Sequence, residues 1–381
     1  MEWISAAEAM NALGVRQQTL YAYVSRGRIA VQADPADPRR SRYSAADIKL
    51  LAERKRRGRK AADVAQSAIA WGEPVLDSAI TTVAQGRLFY RGQDAASLAL
   101  THDFESIGRL LRGQTSPDLT PVEDAPAPKG KTARARLFAM LASRAATDLP
   151  LAGRSPNSLF VEAASLLAAV TAAASGEEGR GPAHERLAAA WGCDADGADL
   201  IRRALVLLAD HELNASTFAT RVAASTGASL AASALAGLAA LSGPLHGGMA
   251  SRVETYLAEV KRAGAGAATA ARMMRGEALP GFGHPLYPDG DPRAEALLLA
   301  FETPKRWAAT AVAAQEAGSG RPNIDFALTA LAKHLSLPDD APFTLFAAAR
   351  CAGWVAHAIE QSSTGRLIRP RARYNGLTPS A

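Results

Sequence analysis

The run 228-ASLAASALAGLAAL-241, with 162-EAASLLAAVTAAA-174 before it, decides the class of fold. Alanine is the strongest helix former and is poor in strands, because its methyl loses no rotamer freedom in a helix and packs little of a pleated surface. Gly, Ser and Thr interrupt both runs, and neither has the Leu, Ile and Phe density of a bilayer segment of ~20 residues. They read as core helices of an all-α protein. Val/Ile-rich strands and a phosphate-binding glycine fingerprint are both missing, which argues against a doubly wound α/β fold.

Around those runs lies a chain of 381 residues, 48% hydrophobic and 21% charged, enough for two or three domains with buried cores. Two cysteines, Cys193 and Cys351, form neither a disulfide framework nor a metal-ligand spacing, so no metal is expected and a reducing cytoplasm fits. The start, 1-MEWISAAEAM-10, has an acid at position 2 and no basic segment before an apolar one, so no signal peptide is expected. Charge is uneven. Residues 1–60 hold 13 of the 43 basic and 6 of the 37 acidic residues, a net of +7 against +6 for the whole chain. The first sixth alone is therefore suited to a polyanion.

That segment has a legible order. Ser5 and Glu8 make a capping box for 6-AAEAMNAL-13, Gly14 ends that helix, and 16-RQQTLYAYVSRG-27 forms a second with Leu20, Tyr23 and Val24 on one face. A hairpin-like stretch with a basic return, 39-RRSRY-43, follows, and Ser44 caps 45-AADIKLLAERKRRGRK-60. Two short helices across a tight turn are a helix-turn-helix arrangement. The stretch resembles the MerR-like and excisionase-like winged helix-turn-helix domains. The resemblance implies DNA contacts from Arg16, Gln17, Gln18, Arg26, Arg40 and Arg42; the same composition also suits a basic protein-interaction module.

Residues 61–74 read as a linker, and 114-QTSPDLTPVEDAPAPKGKT-132 as a surface loop. Of seven histidines, three have unusual surroundings. His211 lies in 209-ADHELNASTFATR-221. His246 is flanked by glycines in 242-SGPLHGGMA-250, which leaves the backbone open to a ligand. His284 lies in 279-LPGFGHPLYPDGDPR-293, too rich in Gly and Pro to be helical.

With "PNIDFAL" and "RPRARYNG", these motifs occur in the order found in citrate synthases, and 85-QGRLFYRGQDAASLALTHDFESIGRLLRG-113 resembles the start of those enzymes. The likeness covers roughly residues 75–381. It implies a large helical domain, 75–246 with 336–381, and a smaller one, 247–335, preceded by the winged domain of 1–60. The implied reaction condenses acetyl-CoA or propionyl-CoA with oxaloacetate, without a cofactor. In it Asp325 takes the methyl proton, His246 donates to the thioester oxygen, and His284 donates to the oxaloacetate carbonyl. His211, Arg293, Arg350 and Arg369 hold the oxaloacetate carboxylates with Phe346 beside them, and Pro280, Gly281, Phe282 and Gly283 meet CoA. Arg369 is implied to reach the partner's site in a homodimer.

Beside these roles stand structural readings, in which Asp325 caps the helix 326-FALTALAKHL-335 and Arg350 makes a helix-face ion pair. Pro288 stands where the family often has a cation for the CoA phosphates, which turns attention to Lys261, Arg262, Arg272 and Arg275. The body, about 306 residues, is short for the family. A rival reading is a DNA-binding regulator whose synthase body senses a metabolite. The base argues against it, since a sensor has no use for Asp325. No membrane partner is expected.

Overall fold

A computed structural model describes residues 3–15, 17–25, 29–34, 37–49, 76–116, 128–372 and 376. They fall into two compact units, Met1–Asp77 and Ser78–Ala381.

In the first unit β1 (Trp3–Ser5) leads into α1 (Ala6–Leu13) through the capping box: Ser5 Oγ accepts from the Glu8 amide, and Glu8 Oε2 accepts from the Ser5 amide at 2.8 Å. Gly14 ends α1 at φ 60°, a left-handed conformation that glycine adopts without a Cβ clash. Leu20 of α2 (Gln17–Ser25) packs with Ala9, Leu13, Ile29, Tyr43 and Ile48, while Tyr23 and Val24 cover the same small core. β2 (Val31–Asp34) and β3 (Asp37–Ser44) form an antiparallel hairpin, with β1 on the far side of β3. Ser44 Oγ accepts from the Asp47 amide at the start of α3, which is described over 45–49. Gly27, the rest of the basic helix and the 61–74 linker lie outside the described residues.

The second unit departs from an all-α reading at one place. β4 (Thr81–Ala84), β5 (Arg87–Tyr90) and β6 (Gln93–Asp94) make an antiparallel meander. Its two-residue turns, Gln85–Gly86 and Arg91–Gly92, have positive φ at both positions (52° and 71°, then 45° and 82°), which matches the twist of a tight hairpin.

The remaining elements are helices. First come α4 (Ala95–Thr101), α5 (Phe104–Arg112), α6 (Ala133–Thr147), α7 (Pro156–Ser175), α8 (Ala183–Ala190), α9 (Ala195–Leu208) and α10 (Ala215–Ser225). Then follow α11 (Leu230–Leu241), α12 (Met249–Ala263), α13 (Ala265–Met274), α14 (Pro292–Leu298), α15 (Lys305–Glu316), α16 (Ile324–His334) and α17 (Ala341–Ser363). By length and composition α7 could cross a membrane, yet its Leu166, Val170 and Ala173 are fully buried in the main core.

Small residues set the closeness of packing around α17. A Cβ on Gly237 would stand 2.7 Å from the Trp354 ring and 2.4 Å from Thr220 Oγ1, so α10, α11 and α17 meet almost backbone to backbone. Two smaller cores lie apart from the main one. Val253, Leu257, Trp307, Phe326 and Ala330 form the first; Tyr256, Val260, Ala268, Leu279 and Ala314 form the second. Both are built from residues 253–330, while Ala294, Leu297, Ile324 and Leu328 of α14 and α16 face the main core. The segment thus has its own interior and a seam with the larger body.

Candidate active site

Three turns and two helix starts converge here. The first turn, 209–214, carries His211 between α9 and α10. It is held by long-range bonds: Arg350 Nε donates to Leu208 O at 2.9 Å, the Gly353 amide to Ala209 O at 3.0 Å, and the Tyr90 hydroxyl to Val206 O at 3.0 Å. Glu212, at φ 50°, accepts the Val83 amide at 2.7 Å. The meander therefore buttresses this turn from outside, which is its contribution to the site. Asn214 closes the turn by capping α10, accepting from the Ser216 and Thr217 amides at 3.0 Å.

The second turn, 243–248, carries His246. The Gly247 amide donates to Leu241 O at 2.8 Å, and a Cβ there would stand 2.3 Å from that oxygen, so only glycine fits. His246 Nε2 lies 3.0 Å from Ser216 Oγ, which also accepts from Trp354 Nε1 at 3.3 Å.

The third, 279–293, is sewn to the start of α16. The Asn323 amide donates to Gly281 O at 2.8 Å, the Gly283 amide to Arg321 O at 2.9 Å, and Asn323 Nδ2 to Gly283 O at 3.1 Å. Gly281 is needed at φ 86°, since a Cβ would meet Val253 and Phe326 at 2.8 and 3.0 Å. Asn323, not Asp325, caps α16, so the Asp325 carboxylate is free of capping duty; it has no hydrogen bond among the described residues. His284 sits on this loop with its ring 5.2 Å from that of His211 and 4.9 Å from that of Tyr287. Tyr287 OH is 2.9 Å from His211 Nε2.

The electrostatics follow from burial. Desolvation, reinforced by the positive charge of Arg350, pushes His246 down to about 4; desolvation with Arg293 does the same to His284, against a smaller opposing pull from Asp291. His211 is pushed well below its ordinary value by burial, Arg293 and Arg350. All three rings are neutral at pH 7. The Leu286 amide donates to His284 Nδ1 at 3.2 Å, so its ring proton sits on Nε2, where it can be donated. Asp325 is raised to about 6, because desolvation outweighs the pull of Arg293 and Arg350.

The two buried arginines differ. Arg293 is gripped through Nε and Nη2 by both oxygens of Asp291 (2.9 and 2.8 Å), which leaves Nη1 outside the pair. Arg350 stacks on Phe346 at 4.7 Å, and its Nη2 is buried without a partner. The helix-face ion pair is therefore not formed, and burial lowers its pKa to about 10. Cations buried without a full set of acceptors suit an anionic ligand.

The remaining sequence candidates are dispersed. Arg369 is exposed and makes no hydrogen bond or ion pair with this cluster. Pro280 is buried, and the Phe282 ring packs on Phe326 (5.0 Å) and Tyr256 (6.4 Å) in the smaller cores. Arg272 and Arg275 are paired with Glu259 and Glu277, whereas Lys261 and Arg262 are exposed at the end of α12. In the first unit Gln17 donates to Tyr21, Gln18 is exposed, and Arg42 pairs with Asp34 at 3.0 Å. Arg16, Arg26 and the Arg40 side chain lie outside the described residues.

Sequence reading misses Ser216, Tyr287, Asp291 and Asp210. Tyr287 and Asp291 stand inside a quoted motif, where the acid looks hostile to a polyanion; in fact its charge is spent on Arg293. Nothing in the sequence marks Ser216 as a partner of a histidine 30 residues away.

The chain resembles known proteins in sequence and in fold. The sequence model described as citrate synthase, C-terminal domain, matches residues 69–371. The chain is 41% identical over 187 residues to the putative citrate synthase 2 of Mycobacterium tuberculosis (strain ATCC 25618 / H37Rv), covering 46% of this chain and 50% of that one. It is 34% identical over 227 residues to the 2-methylcitrate synthase 1 of Corynebacterium glutamicum, covering 53% and 60%. The chain thus spans about half the length of the curated relatives it matches. The crystal structure of citrate synthase from Thermotoga maritima MSB8 superposes with a TM-score of 0.68 at 25% identity, over 81% of this chain and 96% of that one. With the family model matching residues 69–371, the chain belongs to the citrate synthase family.

Proposed function

We propose that the second unit condenses an acyl-CoA thioester, acetyl-CoA or propionyl-CoA, with oxaloacetate and water to give citrate or 2-methylcitrate and CoA. The observation that carries this is the buried Arg350 guanidinium with an open Nη2, set among neutral histidines and a carboxylate of raised pKa. A dianion answers the arginines; a carbon acid answers the base.

A thioester methyl loses its proton only if charge growing on the carbonyl oxygen is stabilised at once. Asp325 takes the proton while His246 donates to that oxygen. The enol carbon attacks the ketone carbon of oxaloacetate, and His284 passes its Nε2 proton to the new alkoxide. Water then adds to the thioester carbon, the C–S bond breaks, and CoA leaves as the thiol. Before the next turnover the His284 ring regains a proton from solvent as Asp325 releases the one it took. His211, Arg293 and Arg350 hold the dianion. Closure of residues 247–335, which own two separate cores, would exclude water before the enol forms. Arg369, on the exposed C-terminal segment, completes the partner's site in a homodimer. One methylene is worth only ~1–3 kcal/mol of discrimination, so either thioester is admitted here.

The test is thiol release with oxaloacetate and each thioester in turn. Turnover with one or both is expected; none, from folded protein that still binds oxaloacetate, moves the assignment to a metabolite-sensing regulator. Ser216→Ala should lower kcat about tenfold with an unchanged melting temperature, because the hydroxyl that orients the His246 ring is lost. An unchanged kcat would remove Ser216 from the scheme.

For the first unit we propose a winged helix-turn-helix that binds duplex DNA. The capped α1, the Gly14 turn, α2 and the β2–β3 hairpin support it, as does the net charge of +7 over residues 1–60. Anisotropy of a labelled duplex with the full chain should show affinity falling steeply between about 50 and 200 mM salt. A salt-independent or absent signal would leave a protein-interaction module instead.

A further inference from the structure

Asp210 adjoins His211, is fully buried, and has no part in the chemistry above. A buried carboxylate must be paired or it protonates. Its Oδ2 lies 3.2 Å from His357 Nε2. Its Oδ1 has no hydrogen bond of good geometry, and neither has Arg350 Nη2. Asp210 and Arg350 act on each other electrostatically: burial would raise Asp210, yet His357, Arg350 and the Thr81 hydroxyl hold it below its ordinary value. Still, they do not pair. One arginine of the site has its fork filled by Asp291; the other has its counter-charge held back.

His357 makes the one hydrogen bond of good geometry to this carboxylate among the described residues. Arg221 Nη1 lies 3.2 Å from His357 Nδ1, and an arginine can only donate. Nδ1 therefore accepts, the ring proton sits on Nε2, and it is donated to Asp210. Arg221 is itself buried and fixed by Gln361 Oε1 at 3.0 Å and Glu360 Oε2 at 2.7 Å. These three partners sit on α17, within three turns of Arg350.

We infer that Asp210, His357 and Arg221 are positioning residues for the dianion site. The Arg221–His357 arm holds the Asp210 carboxylate near enough to stabilise the Arg350 cation and too far away to occupy its fork. A carboxylate in contact would have to be displaced by every incoming substrate; one held off has no such competition. The inference rests on the reading of Arg350 as a ligand for a substrate carboxylate.

His357→Leu removes the donor to Oδ2, and the unpaired carboxylate then turns onto Arg350 Nη2. Calorimetry on the full chain with oxaloacetate should give binding about tenfold weaker than wild type. The KM for oxaloacetate should rise with kcat little changed. Asp210→Asn combined with His357→Leu removes the charge that fills the fork, so most of the loss should be recovered. His357→Gln, which keeps a donor near the Nε2 position, should stay close to wild type. Mere space-filling by His357 predicts the reverse order, with the double variant at least as weak as the single. That order would sink the proposal, as would a crystal structure of His357→Leu with Asp210 still clear of Arg350. Should His357→Leu fail to fold, the shorter His357→Asn, whose amide falls short of Asp210 Oδ2, carries the test beside His357→Gln: binding about tenfold weaker for the Asn variant alone supports the proposal, and equal affinities overturn it. Wild-type protein that binds no oxaloacetate would end the substrate reading instead, and the Asp210–Arg350 contact in His357→Leu crystals would still decide the positioning claim.

Discussion

Asp325→Ala should lower kcat by about 10³-fold, the scale of a lost general base, in a protein that folds as before. The residue is not the cap of α16, so its removal leaves the Asn323 hydrogen bonds that start the helix intact. The pH profile supplies the sharper reading. The base must be ionised, and burial has raised Asp325 to about 6, so kcat/KM should fall as pH drops through about 6. His246 and His284, pushed down to about 4, do not titrate in that window. An acid limb near the ordinary carboxylate value would assign it to another group. Stability should move the opposite way. A carboxylate whose folded pKa is raised binds its proton more tightly in the folded state, so its ionisation weakens the fold as pH rises through about 6. Asp325 is half-buried rather than sealed, which limits the effect to about 1–2 kcal/mol. Asp325→Asn should therefore melt higher than wild type at pH 8 while remaining inactive; a lower melting temperature would mean the carboxylate has a structural partner in solution.

The second large effect is expected at a residue with no side chain. Gly353 lies on the face of α17 that meets the 209–214 turn, with its amide bonded to Ala209 O. A Cβ there would stand 2.2 Å from Asp210 Oδ1 and 2.6 Å from Ala209 O. Neither neighbour can yield, since one is a buried carboxylate fixed by His357 and the other is backbone. Gly353→Ala should destabilise the second unit by about 3 kcal/mol or more, at the upper end for overpacking. It should also impair oxaloacetate binding, because the displaced turn carries His211. Gly264→Ala serves as the control: that glycine has open space around its Cβ, though its φ of 83° makes some strain unavoidable. A Gly353→Ala protein with near wild-type melting and affinity would show that the α17 contact is slack.

Much of this was legible in the residues. Alanine content alone placed the chain among helical proteins, and Ser5, Glu8 and Gly14 marked the limits of α1, because capping depends on neighbours three or four residues apart. The motif order brought His211, His246, His284, Asp325, Arg293 and Arg350 to attention before any contact was known. The meander at 81–94 escaped an all-α reading although its X–Gly turns stood in plain view, since two short hairpins carry too little periodicity to outweigh the helices around them.

Residue types at helical spacing, the points where helices begin and stop, and the side chains with chemistry to offer are therefore written along the chain. Their charge states and pairings come from packing. Whether Asp291 stands alone or neutralises Arg293, whether Asp325 or Asn323 caps α16, and whether Asp210 pairs with Arg350 or with His357 are questions about partners. Some of those partners are distant: Asp210 and His357 lie 147 residues apart. Desolvation and Coulomb interaction depend on distance in space, and spacing along the chain does not encode that distance until the helices have packed.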